Sequence, residues 1–295
     1  MRFLLPIFIL INLNLYAQVD YSWWNEKHQW DGITPWHHYL KMSTSYLGPN
    51  ALPVPEIPKG NIDSSAELEV SVSYHHCDGD KTKDFYLRGF LPLFNHRVAV
   101  SIDVIPYEWF ETDTITRDLR AARTRSGKGG SGGDIYFHSS YQLLRNHSHI
   151  PDVLFQASMR LASGTNLGDA RYTDAPGYFF NVSVGKNYSI GKSVLRGYLM
   201  TGFYAYQTYD IRNLQNDCFM YGLGLDYRRG KVLLSQSLGG YNGYLNLGDR
   251  PMVYRASLRL LNKIFDWKFS YQLGLHDYDF SRYRIGVIVH LNQNN

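Results

Sequence analysis

The sequence predicts an all-β chain that closes into an antiparallel transmembrane β-barrel of about twelve strands, wound as a meander around a polar lumen. Three observations carry this. First, residues 135–143 set Ile135, Phe137, Ser139, Tyr141 and Leu143 on one face and Tyr136, His138, Ser140 and Gln142 on the other. Residues 155–161 do the same, with Phe155, Ala157, Met159 and Leu161 opposing Gln156, Ser158 and Arg160. A period of two with one apolar and one polar face is a half-buried strand. Full charges on the polar face suit a wet interior and an apolar outside, as in a membrane barrel, better than a packed soluble core. A soluble β-sandwich would need that charged face outside. Second, no run of the chain approaches the ~20 apolar residues of a membrane helix. Third, short and long links between strands alternate.

The elements follow in order. Residues 1–17 begin with Arg2, continue through an apolar run from Phe3 to Ile11, and end at Ala17 before Gln18, with no acidic residue. That pattern is a cleaved secretory signal peptide, and with a barrel it predicts the outer membrane of a Gram-negative cell. Of 30 basic residues only Arg2 is lost with it, leaving 29 against 26 acidic and a net charge of +3. Such a balance argues against nucleic acid and against a polybasic membrane anchor.

Residues 18–64 hold Trp23, Trp24, Trp30 and Trp36 and a run with Pro53, Pro55 and Pro58. Proline removes ladder donors, so this run should be extended and unpaired. We expect a periplasmic lead-in that folds up toward the barrel mouth; an extra strand over residues 40–47 is the alternative. Residues 65–295 form the barrel. Its strands centre on 68–74, 85–91, 98–104, 135–143, 155–161, 180–184, 195–206, 219–225, 232–238, 254–260, 267–275 and 283–291. Each approaches the ~9–11 residues that cross a bilayer when tilted. The links near 94–96, 146–150, 187–192, 228–230 and 262–266 are short. Those at 76–83, 111–132, 163–177, 208–216, 240–250 and 277–282 are mostly longer. Barrels of this class have short periplasmic turns and long outer loops, which places both termini on the periplasmic side. Insertion would use the barrel-assembly machinery, and the outer face would meet outer-membrane lipid. The 24 tyrosines suit membrane–water boundaries. Cys77 and Cys218 fall at the outer end on distant walls, beyond the ~7 Å a disulfide spans, so two free thiols are expected.

The step Gly132-Gly133-Asp134, the strand that follows it, Pro151 before the next strand, and Leu161-Ala162-Ser163-Gly164 carry a resemblance. They resemble the outer-membrane family named for the meta-pathway of phenol degradation, whose members are proposed transporters. That family has Leu-Pro-Thr-Gly where this chain has Leu161-Ala162-Ser163-Gly164. Residues 48–57 and the loop 171–180 are more similar to a branch found in Bacteroidetes. The resemblance covers about two thirds of the mature chain and implies a barrel with a transport role; it names no solute.

The inward charges are the candidates for a solute path: Glu67, Glu69, Arg88, Asp103, Asp134, His138, Arg160, Arg196, Asp226, Arg255, Arg259, Lys268 and Arg284. A hairpin centred on 262–266 sets Arg259 opposite Lys268, which a sheet tolerates only in water or beside carboxylates. Closure between the first and last strands would bring Glu67 and Glu69 near. The bland outcome is an ion-pair network that stiffens the wall. The functional one is a cationic wall attracting small anions, including aromatic or fatty carboxylates. The leading function is therefore passage of a small solute, with no cofactor.

Two other functions stay open. His138 and Ser140 share a face and could serve as base and nucleophile of an outer-leaflet lipid hydrolase, with Gln156 as orienter. A closed structural or docking barrel is the other. The loop 171–177 reads as a structured outer loop and residues 126–133 as a flexible one. Glu111, Asp113 and Asp118 lack the spacing of a calcium loop. His37-His38 and His75-His76 are poor joint ligands, since strand neighbours point to opposite faces.

Overall fold

A computed structural model describes residues 19–291. The signal-peptide reading of residues 1–17 lies outside the described residues. Thirteen strands form one sheet: β1 Ala66–Cys77, β2 Asp80–Leu93, β3 Val98–Thr112, β4 Lys128–Ser131, β5 Ile135–Leu144, β6 Asp152–Arg160, β7 Gly177–Ile190, β8 Ser193–Asp210, β9 Asn213–Arg229, β10 Val232–Asn242, β11 Met252–Leu260, β12 Phe265–His276 and β13 Ser281–Leu291. All pairings are antiparallel; they join chain neighbours except for the closing pair β1–β13 and for β3–β5, which skips the short β4 that hangs on the end of β3. β1 pairs with both β2 and β13, so twelve strands close the ring. Closure leaves no edge with unpaired backbone groups, which is what allows strands to cross hydrocarbon.

The alternation in the sequence becomes the two faces of the wall. On β1, Glu69, Ser71, Ser73 and His75 are buried inward, whereas Leu68, Val70 and Val72 are exposed outward. Phe219, Leu223 and Leu225 continue the apolar outer surface on β9, with Trp109 toward one rim and Trp267 toward the other. An apolar band ending in aromatic rims is the surface a bilayer requires. No helix among the described residues is long and apolar enough to cross a membrane.

The links differ from expectation in two places. At the loop end, 78–79 and 211–212 are two-residue turns rather than long loops. The strands themselves are longer: β8 runs for 18 residues and β9 for 17. Both exceed the ~9–11 residues a bilayer needs, so their hairpin projects past the membrane. The glycine run 126–133 is also not wholly a loop, because β4 pairs with residues 108–111 of β3. Gly129 and Gly130 leave room there for the rings of Phe110 and Tyr107, which any Cβ would strike.

Residues 40–64 lie inside the ring, and residues 19–39 sit over its loop-end mouth. They contain α1 Ser22–Lys27 and a 3-10 turn Trp36–Tyr39, and the stretch 40–47 forms no strand. The chain starts at the loop end, where Trp24 Nε1 donates to the Ala121 carbonyl at 2.9 Å and Thr44 reaches the Gly248 carbonyl at 3.1 Å. It descends past Ala51 and Val54 to residues 59–62 at the turn end, then enters β1. The segment expected as a lead-in folding up toward the barrel mouth thus runs through the lumen from the loop end to the turn end. Leu47, Leu52, Val54 and Ile57 share one core cluster with Tyr198, Met200, Tyr204 and Tyr241 of the wall and Phe280 of the loop before β13. Burying apolar area at roughly 25 cal/mol per Å² is the force that holds the segment there.

Candidate functional site: the charged lumen

The charges of the lumen fall into three tiers. At the turn end the register sets Arg259 opposite Lys268. Arg259 reaches Glu67 on β1 and Asp266 on β12, each at 2.6 Å. Lys268 reaches Glu69 at 2.9 Å. Closing the ring brought both glutamates within reach, so each cation of this like-charged pair has its own carboxylate. Across the lumen Arg196 binds Asp152 at 2.9 Å and donates to the Lys59 carbonyl at 3.0 Å, while Lys59 Nζ contacts Asp226 at 2.6 Å. Arg196 and Asp226, candidates for a solute path, instead hold the inner segment.

The loop-end tier was not foreseen. Arg171, fully buried, donates to Glu108 at 2.8 Å, to Asp80 at 2.7 Å and to the Thr82 hydroxyl at 2.7 Å. Arg120 caps Asp80, and Tyr172 donates to Glu108 at 2.9 Å. Asn50 of the inner segment donates to Asp84 at 3.0 Å and Glu108 at 2.9 Å, and His75 faces Asp84 at 2.7 Å. Loop 161–176, the wall and the inner segment are therefore joined by one buried polar network. Just below it, buried Arg160 donates to the Ala51 carbonyl at 2.6 Å and lies 3.9 Å from Asp134.

Asp134 explains the sequence motif around it. Its Oδ1 accepts from the backbone N–H of Gly164 at 2.7 Å and Ser163 at 3.2 Å, locking the start of β5 to the exit of β6. A Cβ on Gly164 would meet Tyr172 and the Asp134 carboxylate within 3 Å, which is why glycine stands there. Replacing Asp134 with Ala strands two backbone donors, at about 1–3 kcal/mol. The boiling-resistant folded band on a gel should accordingly melt at lower temperature, and an unchanged midpoint would contradict the lock.

The middle tier surrounds a cavity of about 260 Å³ left beside the inner segment. Arg88 faces Asp103 at 3.6 Å, and His138 touches the same Asp103 at 3.2 Å. Arg255 donates to Gln272 at 2.7 Å and to the Val54 and Pro55 carbonyls of the inner segment. Arg284 donates to the Ser73 hydroxyl at 2.8 Å and lies 3.9 Å over the Tyr86 ring. Arg282, missed in the sequence because it sits at the very start of β13, lines the cavity as well. Glu56 of the inner segment faces them. Burial would raise its carboxyl, but Lys268, Arg255, Arg88 and Arg282 outweigh burial and hold it well below the usual carboxylate range.

The base-and-nucleophile pair does not form. Ser140 Oγ accepts from Gln156 at 3.2 Å, whereas His138 Nδ1 meets Ser158 Oγ at 2.8 Å. His138 and Ser158 are cross-strand neighbours. The set Ser158–His138–Asp103 has the order of a triad, but Ser158 is buried and lines no part of the cavity that holds its two partners. Nearby acids have structural partners: Asp113 caps α2 (Thr114–Leu119) at 2.7 Å and Glu111 pairs with Lys128 at 2.6 Å. No cluster of metal-ligating side chains occurs among the described residues. Cys77 and Cys218 are free and buried.

No family model matches the chain, and no curated protein matches it. Solved structures do. An outer membrane channel from Pseudomonas putida F1 aligns over 81% of this chain and 100% of its own, with TM-score 0.57 and 11% identity. The transport unit of the autotransporter AIDA-I from Escherichia coli aligns over 82% and 95%, with TM-score 0.50 and 5% identity. The KdgM porin aligns over 76% and 99%, with TM-score 0.49 and 13% identity. At these identities the likeness is one of fold: a closed outer-membrane β-barrel.

Proposed function

We propose that this barrel is an outer-membrane channel for small anionic solutes, occluded by residues 19–64 at rest. The observation that carries the reading is the middle tier. Arg282 and Arg284 line the cavity with no carboxylate in ion-pairing contact, whereas Arg259, Lys268 and Arg196 are each neutralised. Guanidiniums with no carboxylate in direct contact, in a confined space, attract anions, as charged rings do in pores. In this reading the apolar belt meets outer-membrane lipid, and insertion runs through the barrel-assembly machinery. The likeness of residues 133–134, 151 and 161–164 to the phenol meta-pathway family, and of residues 48–57 to its Bacteroidetes branch, is consistent with a transport role.

The test is ion selectivity. The full chain in a planar bilayer under a KCl gradient should give a zero-current potential of anion-selective sign. Replacing Arg282 and Arg284 together with Glu should reverse that sign. A cation-selective wild type, or an unchanged potential through a folded, conducting double variant, would overturn the reading.

A further inference from the structure

Glu56, like Asp63 lower on the same lining, differs from the other carboxylates of the lumen, which have close partners. It is exposed to the cavity rather than packed, and among the described residues it makes no hydrogen bond and no ion pair. Around it stand three guanidiniums that touch no carboxylate. Arg255 is bound by an amide and two carbonyls, and Arg284 by a hydroxyl and a ring face. The Arg282 side chain makes no hydrogen bond among the described residues, and its Nε is buried without a partner. A buried guanidinium N–H without an acceptor is costly, so this spot lacks an acceptor that the chain does not supply. The remaining wall is partly aromatic, with Tyr86, Phe90, Tyr136 and Phe179 on the lining. An apolar cavity of ~150 Å³ accepts benzene, so about 260 Å³ holds a ring and a carboxylate together.

We propose that this cavity is a binding site for a small carboxylate with a flat apolar body, and that Glu56 is the tethered anion against which such a solute competes. The proposal rests on the reading of the lumen as an anion path and names the solute class. A guanidinium binds a carboxylate through two parallel N–H donors, which Arg282 has free. The rings supply the offset or edge contacts that planar groups prefer. Glu56 opposes the solute as a like charge in the same space. When the solute takes the guanidiniums, the attraction that draws Glu56 and its segment toward the wall is satisfied by another anion.

The test is binding to the full chain in neutral-detergent micelles, with benzoate as probe and benzamide as its uncharged match, followed by calorimetry. Benzoate should bind saturably and more weakly as salt rises, and benzamide should not. Glu56→Gln removes a like charge and should tighten benzoate about tenfold. Glu56→Asp keeps the charge and should stay within about twofold of wild type, and Arg282→Gln should weaken binding by about tenfold or more. Benzoate binding no better than benzamide would sink the proposal. So would a Glu56→Gln affinity equal to wild type in protein that still migrates as a folded barrel. If Glu56→Gln does not fold, the Arg282→Gln arm decides alone, an unchanged affinity overturning the site. Binding in micelles involves no current, so failure here leaves the selectivity result standing. A non-selective pore that still binds benzoate would overturn the transport reading alone.

Discussion

Replacing Arg171 with Leu should destabilise the folded barrel by about 3–5 kcal/mol, the range for removing one partner of a buried ion pair. The side chain leaves Asp80 and Glu108 buried at 1% and 0% exposure, with Arg120 alone to offset them. It also leaves the Thr82 hydroxyl without its donor. Lysine should not rescue it. The three acceptors are met by three different nitrogens, Nε, Nη1 and Nη2, spread over a planar fork that an ammonium cannot imitate. Pairing Arg171→Leu with Glu108→Gln should recover part of the loss by removing one uncompensated charge. Unfolding in urea, followed by the shift of the boiling-resistant band, measures each variant. A single variant within about 0.5 kcal/mol of wild type, the range of ordinary surface changes, would show that water already screens this network.

The barrel wall was legible because its rule is local. A strand with a wet face and a lipid face writes a period of two, and each of the twelve predicted segments falls on one strand of the ring, with only Leu161 beyond its strand's end. The pairing of Arg259 with Lys268 followed from hairpin symmetry, and their carboxylate partners from closure. What fills the lumen was less legible, since no periodicity marks an unpaired segment that packs through Leu47, Leu52, Val54 and Ile57. One signal did exist. On β8 the inward positions Tyr198, Met200, Tyr204 and Tyr206 are as apolar as the outward Leu199 and Phe203. A strand apolar on both faces is buried on both, and here the second face meets residues 19–64. Arg171 could not be found this way, because a loop residue has no register to assign it a partner.

Opening the lumen should need only one added side chain, at Gly60. This residue adopts φ +80°, in the left-handed region, and a Cβ there would stand 2.5 Å from the Gly185 nitrogen and 2.8 Å from the Val184 carbonyl carbon. Both are backbone atoms of β7, itself fixed by ladders to β6 and β8, so the wall cannot yield. Gly60 is also the centre of the lower latch. Its carbonyl accepts from Gln142 Nε2 at 2.8 Å, the Ile62 N–H donates to Gln142 Oε1 at 2.8 Å, and Lys59 is held by Arg196 and Asp226. A β-branched residue at positive φ costs of order 1–3 kcal/mol before any clash. Charged to the seated state alone, that raises the unseated fraction about 5- to 150-fold. Gly60→Val in a planar bilayer should thus show longer or more frequent open periods than wild type, and faster swelling of liposomes. Gly32→Val is the matched control. Gly32 has φ +77° with nothing within 4 Å of its Cβ position, so it carries the backbone strain without the collision at the wall. If the Gly60 variant is folded and conducts no more than the Gly32 variant, the segment does not gate the lumen through its lower latch.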